Sequence, residues 1–175
     1  AYLDVTANKT GLPTATGVAK AIRAQIREEL QLTASAGVAP NKFLAKLASD
    51  VRKPDGLFVI QPVEIDAFLV GLPVGRIPGV GKVTDAQLAA LGIRTIGELR
   101  EHSASALERR FGKYGKRLHE LARGIDERPV EPNLPTVVIE ERCPELHVLH
   151  GVALLFEINT NGACKMHVDA CIRAE

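Results

Sequence analysis

The sequence predicts an α+β protein, with a sheet and its helices first and an all-α unit after them. Three observations carry this. Residues 2–70 alternate strand-like and helix-like patterns. From Gly71 to Gly124 only short helical patterns remain, separated by glycine-bearing turns. A stretch with three prolines and four charges, Gly124 to Pro135, then reads as a linker.

Tyr2-Leu3-Asp4-Val5 alternates as a strand does, and Thr10 to Thr16 is a Gly/Pro/Thr connection. Val18, Ile22, Ile26 and Leu30 recur every four residues, with Lys20, Arg23, Arg27 and Glu28 between them, which predicts an amphipathic helix. Leu32 to Ala39 is a strand of small residues. Pro40-Asn41 punctuates it, and Asn41 can cap the next helix. That helix, Lys42 to Asp50, carries Phe43, Leu44 and Leu47 inward. Lys53-Pro54-Asp55-Gly56 is a turn, Leu57 to Ile60 another strand, and Pro62 opens a helix to about Val70. Beyond the linker, Thr136–Glu140 and His150–Ile158 have strand composition. The expected organisation is therefore residues 1–70, residues 71–124, a linker over 125–135, and an atypical tail over 136–175.

A chain of 175 residues with 46% hydrophobic and 25% charged residues has the makings of a real core. No run approaches the ~18 apolar residues of a membrane span, and the start does not resemble a signal peptide. The expected compartment is cytoplasmic, with no membrane partner. The three cysteines, Cys143, Cys164 and Cys171, do not make a disulfide scaffold. Charge is uneven: residues 76–124 hold 10 Lys and Arg against 5 Asp and Glu, and residues 134–175 hold 3 against 6. The basic surplus suits a polyanion, although a solvated helical surface would show it too.

The stretch "IPGVGKVTDAQLAALGIRTIGELR" carries the chemistry. A short helix ends near Gly75-Arg76, a tight Pro78-Gly79-Val80-Gly81 hairpin follows, and a helix starts at Lys82 with Val83, Leu88 and Leu91 apolar. Gly79 and Gly81 permit positive φ and put no side chain in the way. Backbone N–H groups at a helix N-terminus then form an anion site that fits a nucleic-acid phosphate, and Lys82 adds charge. Such contacts hold the backbone without reading bases. The full pattern resembles a helix-hairpin-helix, a DNA-binding element. Downstream, Gly112-Lys113-Tyr114-Gly115 is a second glycine turn, with Arg109, Arg110, Lys113, Lys116 and Arg117 around it. It is a candidate second phosphate contact.

"AYLDVT", "SAGVAPNKFLAKLASDVRKPDG" and "LPVGRIPGVGKVT", in this order and spacing, closely resemble the Y-family DNA polymerases, and the bacterial DinB type in particular. "GIDERPVEPN" is similar to the end of that family's thumb. The resemblance covers residues 1–133. It implies a translesion, error-prone DNA-directed DNA polymerase, a nucleotidyltransferase of DNA repair. Residues 1–70 then correspond to the C-terminal part of the palm and 71–124 to a helix-hairpin-helix thumb that grips primer–template duplex. It implies that Lys53 approaches the triphosphate of the incoming nucleotide, where a cation offsets charge that builds during transfer. The resemblance also implies a sliding clamp as a partner of the full-length protein.

The resemblance further implies that "AYLDVT" follows an Asp-Glu pair which, with an earlier aspartate, holds two Mg²⁺ ions. Those carboxylates are not among these residues, so no catalytic residue is assigned. Asp4 is expected to be structural, and this chain by itself is not expected to extend a primer. "IEERCPEL" is similar to a helix of the family's little finger, and the rest of the tail departs from the pattern. Cys143, His147, His150, Cys164, His167 and Cys171 are zinc-type residues at spacings of no common motif, so no metal site is assigned to them. Two other readings fit the same residues: a non-enzymatic helix-hairpin-helix DNA-binding module, and a non-functional fragment with an open sheet edge prone to aggregate.

Overall fold

The computed structural model describes residues 1–6 and 11–131, together with the backbone of 153–159. Two compact units result, Ala1–Val59 with Arg128–Glu175, and Ile60–Glu127.

The first unit holds β1 (Tyr2–Asp4), α1 (Ala15–Leu30), β2 (Thr33–Ala39), α2 (Lys42–Val51), β3 (Leu57–Val59) and β4 (Ala153–Asn159). Its sheet runs β1-β4-β2-β3. β2 and β3 are parallel, with α2 as their crossover, and β4 is antiparallel to both β1 and β2. The strand pattern at His150–Ile158 is therefore realised in β4. The candidate strand at Thr136–Glu140, the "IEERCPEL" resemblance and the six Cys and His residues lie outside the described residues.

β2 lacks the alternation of a half-exposed strand because helices cover both its faces. Ala34, Ala36 and Val38 pack with Val18, Ala19, Ile22 and Ile26 of α1. Gly37, on the other face, lies against α2, where an added Cβ would stand 2.2 Å from the Ala45 carbonyl oxygen. Small residues let both helices approach.

α1 follows its apolar period except at the end. Leu30 is 52% exposed, because Gln31 enters the left-handed region at φ 55° and closes the helix there. Asn41 caps α2 as expected, its Oδ1 accepting from the Leu44 N–H at 3.0 Å. The Lys53–Gly56 turn is pinned from α1. Arg23 donates to the Ala34 carbonyl at 2.7 Å and to the Asp55 carbonyl and carboxylate at 2.6 and 2.8 Å. Arg27 pairs with the same carboxylate. Hydrogen bonding from Arg23 first, and from Arg27, holds the Asp55 carboxyl below its ordinary range.

The second unit holds α3 (Ile65–Val70), α4 (Lys82–Ala90), α5 (Ile96–Arg100), α6 (Ala104–Phe111) and α7 (Lys113–Ala122). The helix expected from Pro62 opens as a 3₁₀ turn, Pro62–Glu64, before α3. Leu69, Val74, Ile77, Leu88, Ile93, Ile96, Leu99, Leu107 and Leu118 form the core. Each contributes about 2 kcal/mol by leaving water. Asp126, in the stretch read as linker, is buried here and binds Arg117. No helix among the described residues is long and apolar enough to cross a membrane.

Candidate nucleic-acid interface

The hairpin forms from a 3₁₀ turn, Val74–Arg76, followed by a tight bend in which the Val80 N–H donates to the Ile77 carbonyl at 2.9 Å. Gly79 takes φ +97°. Gly81 does not use positive φ. It is extended, at φ −87° and ψ 178°, and serves as the N-cap of α4. An added Cβ on Gly81 would meet nothing within 4 Å among the described residues. Lys82 is exposed, as is Arg76 just before the hairpin. Of the three apolar residues expected along α4, only Leu88 is buried; Val83 is 73% exposed and Leu91 is exposed as well.

Three of the helices with eight or more residues start on a side-chain cap. Thr14 accepts from Gly17, Asn41 from Leu44 and Ser103 from Ala106, at 3.0, 3.0 and 3.2 Å. α4 and α7 start on Gly81 and Gly112 and have no side-chain cap. Among the described residues, no acceptor meets the N–H groups of Lys82 and Val83 in α4 or of Lys113 and Tyr114 in α7, which lie at the positive end of each helix dipole. In the second turn the Gly112 N–H donates to the Glu108 carbonyl, and the Gly115 N–H to the Gly112 carbonyl, both at 2.8 Å. Gly112 sits at φ 60° and ψ −146°, a region open to glycine.

Gly115 and Tyr114 face the protein. An added Cβ on Gly115 would lie 2.1 Å from the Leu107 carbonyl oxygen, so this glycine lets α6 and α7 touch. The Tyr114 hydroxyl is buried and has no hydrogen-bond partner among the described residues. It lies against Gly79, 2.9 Å from where a Cβ would stand. Burial pushes its pKa up. One side chain thus links the two glycine turns, which the sequence presented as separate features. That contact spans 35 positions, and no local pattern signals it.

Of the five cations around the second turn, Arg109, Arg110, Lys113 and Lys116 are exposed and make no ion pair among the described residues. Arg117 is different. It turns inward, 2.5 Å from Asp126 and 3.6 Å from Glu120. In the first unit Lys53 is exposed and pairs with Asp50 at 2.6 Å. Among the described residues no group of three or more His, Cys, Asp or Glu converges as a metal site. Asp4 accepts from the Thr6 N–H and hydroxyl at 3.1 and 2.8 Å, as a turn-forming aspartate does. Among the described residues, these do not fit a two-Mg²⁺ centre.

The family described as "DNA polymerase-iota, thumb domain" matches residues 75–126, the hairpin and everything after it in the second unit. The "impB/mucB/samB family" matches residues 1–50. A DNA polymerase IV from Xanthomonas campestris pv. campestris is 65% identical over 133 residues, 76% of this chain and 37% of the relative.

This chain belongs to the Y family of DNA polymerases, DNA polymerase IV type.

A DNA polymerase IV from Pseudomonas paraeruginosa is 58% identical over 143 residues, 82% of this chain and 41% of the relative. Among solved structures, DinB from Sulfolobus solfataricus is similar at TM-score 0.60 and 38% identity, covering 66% of this chain and 34% of that one. An insertion ternary complex of Dbh DNA polymerase gives TM-score 0.62 and 38% identity over the same shares. The Y-family chain described here thus spans roughly two fifths of the length of these curated relatives.

Proposed function

We propose that residues 71–124 are a thumb that holds primer–template duplex DNA by its phosphates, as part of a translesion DNA-directed DNA polymerase. One observation carries the reading: the glycine-capped N-termini of α4 and α7, joined through Tyr114 and Gly79, stand among cations that make no ion pair among the described residues. A phosphate at each N-terminus accepts from the first two N–H groups of the helix. Gly79, Val80 and Gly81 shape the first site and Lys82 charges it. Gly112 and Lys113 do the same at the second, while Tyr114 and Gly115 fix its position. None of these groups reads a base, so binding is indifferent to sequence, as copying any template requires. By the same family reading Lys53 approaches the triphosphate of the incoming nucleotide, with Asp50 orienting its ammonium. A divalent metal and a sliding clamp belong to the proposal for the whole polymerase; among the described residues no group of three or more His, Cys, Asp or Glu converges to hold the metal.

Fluorescence anisotropy of a labelled primer–template duplex against salt tests this on the full chain. Log affinity should fall linearly with log salt, by about 0.9 per phosphate engaged. Lys82→Glu should weaken binding alike on unrelated sequences and lower the slope by about 1. Gly81→Ala should weaken binding while costing under about 1 kcal/mol of stability, since its Cβ meets nothing among the described residues. Sequence-dependent binding, or a slope unmoved by Lys82→Glu, would overturn the reading.

A further inference from the structure

We propose that residues 153–159 are a donor strand, which inserts into a one-strand slot between β1 and β2 and on which the first unit's sheet depends. β4 is not at an edge. It pairs over seven positions with β2, from Thr33↔Asn159 to Ala39↔Ala153, and over three with β1, from Tyr2↔Leu155 to Asp4↔Ala153. Strand pairs stand about 4.8 Å apart, so β1 and β2 are about two spacings from each other and cannot bond directly. Without β4 the sheet is split, and β1 pairs with no other strand among the described residues.

The donor comes from a region that neither family match reaches, since those cover residues 1–50 and 75–126. The slot lies between two strands that both fall inside the first match. Its chemistry is that of β-augmentation, in which backbone hydrogen bonds supply affinity and a run of apolar residues fits a covered position. Ala-Leu-Leu-Phe-Glu-Ile-Asn is such a run, suited to a central strand with neighbours on both sides. Hydrogen-bond direction follows from β2. The Ala36 N–H donates to the Gly56 carbonyl at 2.8 Å, on the β3 side. By alternation the Ser35 and Gly37 amides point to β4, where they face Glu157 and Leu155. The occupant is the chain's own tail. The 21 residues between Glu131 and Ala153 reach at most about 75 Å when extended, ample for a return to the sheet of the same chain.

Leu155→Pro in the full chain tests this by hydrogen exchange. Proline removes the N–H opposite Gly37. Protection at Ser35 and Gly37 should fall at least about tenfold, while Leu88, Leu99 and Leu118 in the second unit keep theirs. A full chain carrying a protease site near residue 140 should, once nicked, keep its two pieces together as a monomer on gel filtration. With Leu155→Pro the pieces should separate. Unchanged protection at Ser35 and Gly37, or nicked pieces that separate without the proline, would overturn the proposal. So would a dimer in which the strand is exchanged between copies.

Discussion

Gly79→Ala, made with and without Tyr114→Phe, tests the link between the two glycine turns. Alanine at φ +97° pays for a left-handed backbone, about 1–2 kcal/mol. Its Cβ also stands 2.9 Å from the Tyr114 hydroxyl, closer than real Cβ contacts come, and relieving that overlap costs about 1 kcal/mol more. Phenylalanine at 114 removes the oxygen and leaves ring carbons at 3.5 Å, an ordinary contact. The cost of Gly79→Ala should therefore drop from about 2–3 to about 1–2 kcal/mol in the Tyr114→Phe background, a coupling of about 1 kcal/mol. Tyr114→Phe alone should be neutral or stabilising, because the hydroxyl it deletes is buried with no partner among the described residues. Native-state hydrogen exchange at the Leu88, Leu99 and Leu118 amides reads the second unit's stability apart from the first. Equal costs in both backgrounds would refute the contact. A marked loss of stability in Tyr114→Phe alone would show that the hydroxyl has a partner.

Two further outcomes follow from the same geometry. Gly115→Ala should cost about 3 kcal/mol in the same exchange assay, because its Cβ would stand 2.1 Å from a backbone oxygen of Leu107 and force α6 from α7. Acid should destabilise both units. Asp55 is held below its ordinary value of 3.8 by Arg23 and Arg27, and Glu98 below 4.5 by the Arg94 and Thr95 N–H groups. Depressed carboxyls stabilise fully above those ordinary values and lose that contribution as pH falls through the folded ones. Urea midpoints measured from pH 6 down to pH 3 should decline, and less steeply for Glu98→Gln.

Much of the local structure was legible because local rules decide it. The four-residue period of Val18, Ile22 and Ile26 gave α1, and the polar side chain of Asn41 gave the start of α2. The hairpin was legible from its glycines, yet only one of them has the conformation expected of it. What stayed hidden depends on partners far along the chain. Arg117 looks like its four neighbouring cations until Asp126 folds back onto it from a stretch that reads as linker. α4 has nine residues and a single buried one, Leu88, too little for a period to separate Val83 from the core. β4 was legible as a strand, but its place between β1 and β2 is a matter of pairing, which no pattern within 153–159 states.

The glycines themselves separate structure from binding. Gly37, Gly97 and Gly115 stand where a Cβ would collide with backbone, so packing explains them. Gly79 and Gly112 have positive φ, so conformation explains them. Gly81 has neither reason. Its φ is −87°, its surroundings are open, and at an N-cap a serine or aspartate would serve the helix at least as well. A polar cap there would occupy the very N–H groups that an external anion needs, and an aspartate would repel it. A glycine that the fold does not require, at a helix start left uncapped and beside Lys82, is what the proposed approach of phosphate to backbone calls for.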